Sequence, residues 1–85
     1  MSELDVLREH IDEIDRKIVA LYEKRAAVSK RVGAYKKPAG LPVLDEQREK
    51  SVIASRVRLL VDETLAPDIE ELFCLMMRLS REKQA

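Results

Sequence analysis

Eighty-five residues make one domain, and sixteen Lys plus Arg against sixteen Asp plus Glu leave no net charge. With 46% hydrophobic, 38% charged and only 4% aromatic residues, two Gly and three Pro, the composition is that of an all-α protein. A neutral chain so poor in aromatics has no global field to steer it to nucleic acid or an anionic membrane, so neither is expected as a partner.

Ser2 followed by Glu3, Leu4 and Asp5 supplies a cap and an acidic first turn for a long helix, predicted from about Leu4 to Lys37, where Pro38 is expected to end it. Leu7, Ile11, Ile14, Ile18, Leu21, Arg25, Val28, Val32 and Tyr35 recur at steps of four and three, the seam of a helix packed along its length against other helices. Arg25 interrupts that seam. A buried, unpaired guanidinium costs several kcal/mol, so Arg25 implies an anionic partner, either a carboxylate side chain or a bound ligand; the competing reading is an ion pair, or an Arg that snorkels out to solvent. Lys36 lies eleven residues on, only about 20° round the helix and roughly 16 Å along it, so both cations point the same way. Arg8 is roughly 25 Å from Arg25 along the axis and about 100° away, so it can serve the same small ligand only from another subunit.

A helix of this length spans about 50 Å, whereas a compact chain of this size has a radius of gyration of about 12 Å. The helix must protrude, with its seam uncovered. A two-fold homodimer with antiparallel long helices is therefore expected, because a closed isologous contact hides both seams and a short chain buries too little surface alone.

The stretch Pro38–Pro42 reads as a loop, and Asp45 as the N-cap of a second helix over about 46–63 whose apolar stripe comprises Val52, Ile53, Val57, Leu60 and Val61. Projected backwards, the stripe runs through Glu49, with Arg48 beside it. Pro67 suits the first position of a third helix, and Asp68, Glu70 and Glu71 make its first turn acidic. Its stripe, Ile69, Phe73 and Met76, turns polar at Ser80 and Gln84, which share a face; the competing reading there is a fraying C-terminus. Three helices are expected, one long and two shorter.

The lone Cys74 lies in the apolar run Leu72–Met77 and reads as a small core residue, with no intrachain disulfide possible. His10, the one histidine, has no ligand-spaced neighbours, so no metal site is expected. No signal-peptide pattern or bilayer-length apolar run is visible, which fits a cytoplasmic protein. The cluster Lys30, Arg31, Lys36 and Lys37 has a plain reading as a solvated face near a helix C-terminus.

Arg25 and Lys36, Arg48 and Glu49, Ser80 and Gln84 thus mark polar interruptions on three apolar stripes, which a three-helix arrangement could bring together. Fixed cations suit a small di-acid, since guanidinium forks bind carboxylates bidentately. The usual residue sets of covalent, metal and nucleotide chemistry are lacking, and no cofactor is expected. Such a site can still act by orientation and by stabilising developing charge.

The stretches LREHIDEIDRKIVALYEKR, VGAYKK and PVLDEQRE, with Ser80 and Gln84 near the end, resemble the all-helical, AroQ-type chorismate mutases over essentially the whole chain. The resemblance implies an intertwined homodimer that converts chorismate to prephenate, a Claisen rearrangement on the path to phenylalanine and tyrosine. By motif position it implies that Arg8 reaches the other subunit's site, while Arg25, Lys36, Asp45, Arg48, Glu49, Ser80 and Gln84 line the local one. Arg8 and Arg25 would hold the two carboxylates, with Ser80 bonding one of them, and Lys36 and Gln84 would donate to the ether oxygen. Glu49 would accept from the ring hydroxyl, with Arg48 holding Glu49 in place. The competing activities are isochorismate pyruvate lyase and amino-deoxychorismate mutase on the same scaffold. A non-enzymatic helical dimerisation module would explain the seam but not its interruptions.

Overall fold

The computed structural model describes residues 1–85 as three α-helices, α1 (Glu3–Ala39), α2 (Glu46–Val57) and α3 (Ala66–Gln84), with a 3-10 turn at Glu63–Leu65 leading into the last. At the start of α1, Ser2 Oγ accepts from the Asp5 N–H at 3.2 Å and the Asp5 carboxylate accepts from the Ser2 N–H at 3.4 Å, a reciprocal capping box. Pro38 does not end α1 as expected; it sits inside the last turn. There its missing N–H costs one intrahelical bond, and the stop comes two residues later. Gly40 adopts φ 67° and donates to the Lys37 carbonyl at 3.2 Å, while the Leu41 N–H reaches the Lys36 carbonyl at 3.0 Å. This pair of bonds closes the helix end, and the left-handed residue between them is one that glycine adopts without strain.

Asp45 caps α2 as its position predicts, its Oδ1 accepting from the Arg48 N–H at 3.0 Å. The helix stops at Val57 rather than near 63. Leu59 and Leu60 bond the carbonyls three residues back, at 3.0 and 3.1 Å, and Asp62 bonds the N–H and hydroxyl of Thr64, which fixes a 3-10 turn instead. Val61, expected on the apolar stripe of α2, is consequently fully exposed. Pro67 lies in the first turn of α3, one residue inside its start at Ala66.

α3 packs against both other helices, while α1 and α2 barely touch. Ser29 meets Ser80, and Gly33 meets Gln84, so equal four-residue steps show α3 running parallel to α1. Lys36 reaches back to Val43, just ahead of α2, which turns α2 antiparallel to both. A Cβ on Gly33 would lie 2.4 Å from the backbone oxygen of Gln84 and 2.6 Å from its Cα. Only glycine permits this approach.

The molecule measures 56 × 25 × 15 Å with a radius of gyration of 16.3 Å, well above the compact value. Only Ser29, Gly33, Val52 and Met77 are buried, so the single chain has no self-sufficient core. Leu7, Ile11, Ile14, Ile18 and Leu21 are 50–63% exposed along the protruding half of α1. Cys74, expected in the core, is exposed. Its run is apolar all round, but α3 turns inward only the side bearing Phe73, Met76 and Met77. No helix is long and apolar enough to cross a membrane.

Candidate active site

Because α1 and α2 stand apart over the platform of α3, a cavity of about 360 Å³ lies between them, within the size range of small-molecule sites. Each wall is a stripe at helical spacing. α1 contributes Arg25, Val28, Ser29, Val32 and Lys36; α2 contributes Asp45, Arg48, Glu49, Val52 and Arg56; Met77, Ser80 and Gln84 form the floor and Val43 closes the loop end. Both stripes span eleven residue steps, roughly 16 Å, and run in opposite directions. One end of the cavity thus carries Lys36 and Asp45, the other Arg25 and Arg56.

Seven of the eight sequence-selected residues line this cavity: Arg25, Lys36, Asp45, Arg48, Glu49, Ser80 and Gln84. Arg8 does not; it is exposed on the protruding half of α1.

Lys36 Nζ donates to the Val43 carbonyl at 3.0 Å and to Gln84 Oε1 at 2.8 Å. Gln84 Nε2 donates to Ser80 Oγ at 3.2 Å, and Ser80 Oγ shares a hydrogen bond of 2.8 Å with Ser29 Oγ. An ammonium can only donate, so the Gln84 oxygen must face Lys36. After these bonds the ammonium keeps one N–H and the carboxamide keeps one, both beside the cavity. α3 is helical through Gln84.

Glu49 pairs with Arg81, on α3 and outside the cavity lining, rather than with Arg48. Arg48 is exposed at the first turn of α2, where its backbone N–H is held by Asp45 and its carbonyl by the Ser51 hydroxyl, while its guanidinium has no partner within the chain. Arg25 forms no ion pair within the chain, so the carboxylate side chain that its seam position could have implied is absent. Its pKa is lowered, first by burial and then by the nearby charge of Arg56, with Tyr22 acting weakly in the opposite sense. Two of the cavity's four cations therefore stand close together without an anion from the protein, and of its two carboxylates one is held by Arg81 and the other caps α2.

Ser29, Arg56 and Arg81 were not selected from sequence. Ser29 and Arg56 carry the signal of periodicity, being four residues after Arg25 and seven after Glu49; the α2 stripe read as 49, 53 and 57 passes one residue to the side of the true lining, 49, 52 and 56. Nothing in the sequence distinguishes Arg81 from other charges near a helix C-terminus.

An all-α chain with a cationic, ligand-sized cleft between two antiparallel helix stripes defines the class. The sequence model of type II chorismate mutases matches residues 7–85, and this chain belongs to that family. It is similar to the intracellular chorismate mutase of Mycobacterium tuberculosis, 39% identical over 81 residues that make up 95% of this chain and 71% of that protein. It is also similar to a chorismate mutase of Methanocaldococcus jannaschii, 40% identical over 63 residues covering 74% of this chain and 63% of that one. Among solved structures, a conserved hypothetical protein from Pyrococcus furiosus superposes with a TM-score of 0.83 at 29% identity, covering 100% of this chain and 99% of that one.

Proposed function

We propose that this chain is a cytoplasmic chorismate mutase, rearranging chorismate to prephenate as an intertwined homodimer. The observation that carries the reading is the pairing of spare N–H groups on Lys36 and Gln84 with an uncompensated Arg25 in one cavity. A di-acid needs fixed cations, and a breaking C–O bond needs donors where negative charge grows. The cavity offers both.

The rearrangement is pericyclic, so neither nucleophile nor base is required. Arg25, together with Arg8 of the second subunit, holds the two carboxylates so that the reacting carbons approach in a compact conformer, which is catalysis by orientation. Lys36 and Gln84 turn their free N–H groups to the ether oxygen; donors already held by Val43, Ser80 and Ser29 reorganise little as charge develops. Such preorganised donors typically contribute about 3 to 4 kcal/mol each. Glu49, held in place by its ion pair with Arg81, accepts from the ring hydroxyl. An acceptor at that place suits a hydroxyl and so chorismate. The uncovered seam from Leu7 to Leu21 is the surface on which the second subunit lies.

The test is direct. Purified protein incubated with chorismate should deplete its ultraviolet absorbance, with prephenate as the product by chromatography. Pyruvate and a hydroxybenzoate from isochorismate, with no turnover of chorismate, would overturn the reading.

A further inference from the structure

Arg56 is the one charged residue lining the cavity to which the resemblance gives no role. It enters the wall from the last turn of α2, at the same end as Arg25 and facing it across the cleft. Its guanidinium is held from two sides. Nη1 donates to Ser55 Oγ at 2.9 Å, that hydroxyl donates in turn to the Val52 carbonyl at 2.7 Å, and the guanidinium carbon lies 5.9 Å from the centre of the Phe73 ring. Stacking and one hydrogen bond fix its direction but supply no negative charge, and no carboxylate of the chain pairs with it. Arg58 and Arg78, by contrast, lie exposed on outer faces.

Two guanidiniums that face each other repel, and the lowered pKa of Arg25 has Arg56 as its second cause. A carboxylate placed between them reverses that repulsion, because its two oxygens offer enough lone pairs to accept from both forks. We propose that Arg56 is a further substrate-binding residue, sharing with Arg25 the substrate carboxylate at that end of the cavity. The inference rests on the di-acid reading above and extends it to a further residue of the cavity wall. Lys36 and Gln84 address charge that exists mainly in the transition state. A carboxylate is fully charged before, during and after the rearrangement, so a group that binds it stabilises ground and transition states alike. The kinetic signature of Arg56 is therefore in KM, not in kcat.

The experiment compares parent, Arg56→Met and Arg56→Lys. Methionine keeps an unbranched apolar chain against Phe73 and removes the charge; lysine keeps the charge and loses the fork. Arg56→Met should raise KM for chorismate roughly tenfold or more with kcat within about threefold of the parent, the pattern of lost uniform binding, and Arg56→Lys should fall between. Titration calorimetry with prephenate should show the same weakening. A merely structural Arg56 would lower Tm and leave KM within twofold in whatever remains folded, which overturns the proposal. Should the Met variant not fold, an unchanged KM in Arg56→Lys has the same force. A parent that leaves chorismate unconverted overturns the functional reading and this assignment with it, whereas a parent that converts chorismate beside an Arg56→Met variant of equal KM overturns the assignment alone.

Discussion

The two halves of α1 carry the same seam and meet different fates. From Leu7 to Leu21 every seam residue is at least half exposed, while from Arg25 to Lys36 the helix packs on α3 and walls the cavity. One residue pattern thus meets two settings: the first half has no partner within the chain, and the second packs on α3 through Ser29 and Gly33 while its own seam residues Val28 and Tyr35 remain 54% and 72% exposed. The hydrophobic spacing that builds a helix does not distinguish them. What does is the polar content: Arg25, Ser29 and Lys36 occur only in the half that faces the cleft.

Breaking the first half should have the largest effect. Ile14→Asp puts a carboxylate in the middle of the uncovered seam, where covering it on association would cost several kcal/mol. Loss of the dimer, of most helicity and of activity at micromolar concentration is expected, read by sedimentation and circular dichroism. A helical, active monomer of the parent protein would show that the exposed seam needs no second copy.

The next test joins the two halves. Arg8→Ala and Arg25→Ala should each abolish nearly all activity, yet co-refolding them should restore roughly a quarter of it, because half the dimers of a statistical mixture then hold one intact site of two. If verified heterodimers stay inactive, Arg8 does not act across the interface.

Within the second half, Gln84→Glu should lower kcat roughly a hundredfold at neutral pH, since an ionised carboxylate can only accept and would repel the developing oxyanion. Activity should rise on acidification as the new carboxyl becomes protonated and can donate. Lys36, at 2.8 Å from the oxygen replaced, favours the ionised form, so the recovery is displaced to the acid side of an ordinary Glu. A variant equal to the parent at pH 7.5, with no rise below it, would remove Gln84 from the chemistry.

Gly33→Ala should be the mildest. Its Cβ cannot occupy the space 2.4–2.9 Å from the Gln84 backbone, so the end of α3 must shift outward, which costs about 1–3 kcal/mol of stability and misplaces the carboxamide. A kcat reduced roughly tenfold with KM nearly unchanged is expected, and the loss should vanish in a Gln84→Ala background. Additive losses in that double variant would mean that Gly33 serves packing alone.

The legible parts of this molecule were those written in periodicity. Helix number, the Ser2 and Asp45 caps and the protrusion of α1 follow from local rules that hold whatever the tertiary context. Arg25, Lys36, Glu49, Ser80 and Gln84 stood out because each breaks an apolar stripe. Arg81 breaks none, and its partnership with Glu49 depends on how α3 lies against α2, which no spacing within either helix specifies. Gly33 was silent for a similar reason, since its meaning lies in a backbone half the chain away. The stop at Val57 was missed because the side-chain bonds of Asp62 to Thr64 compete with an apolar stripe that continues past it.

The six residues Gly40–Asp45 tie the walls of the cleft together at one end only. In terms of chain entropy, that end closes a short loop, seven residues from Lys36 to Val43, whereas bringing Arg25 to face Arg56 closes thirty-one. The longer closure costs roughly 1 kcal/mol more, and it is held only through the platform that α3 provides, by contacts such as Ser29 to Ser80 that are fifty-one residues apart. The Lys36–Val43 corner is therefore inherited from local sequence and assembles with it, while Gln84, forty-eight residues from Lys36, and the Arg25–Arg56 end take their places only when the whole chain has closed.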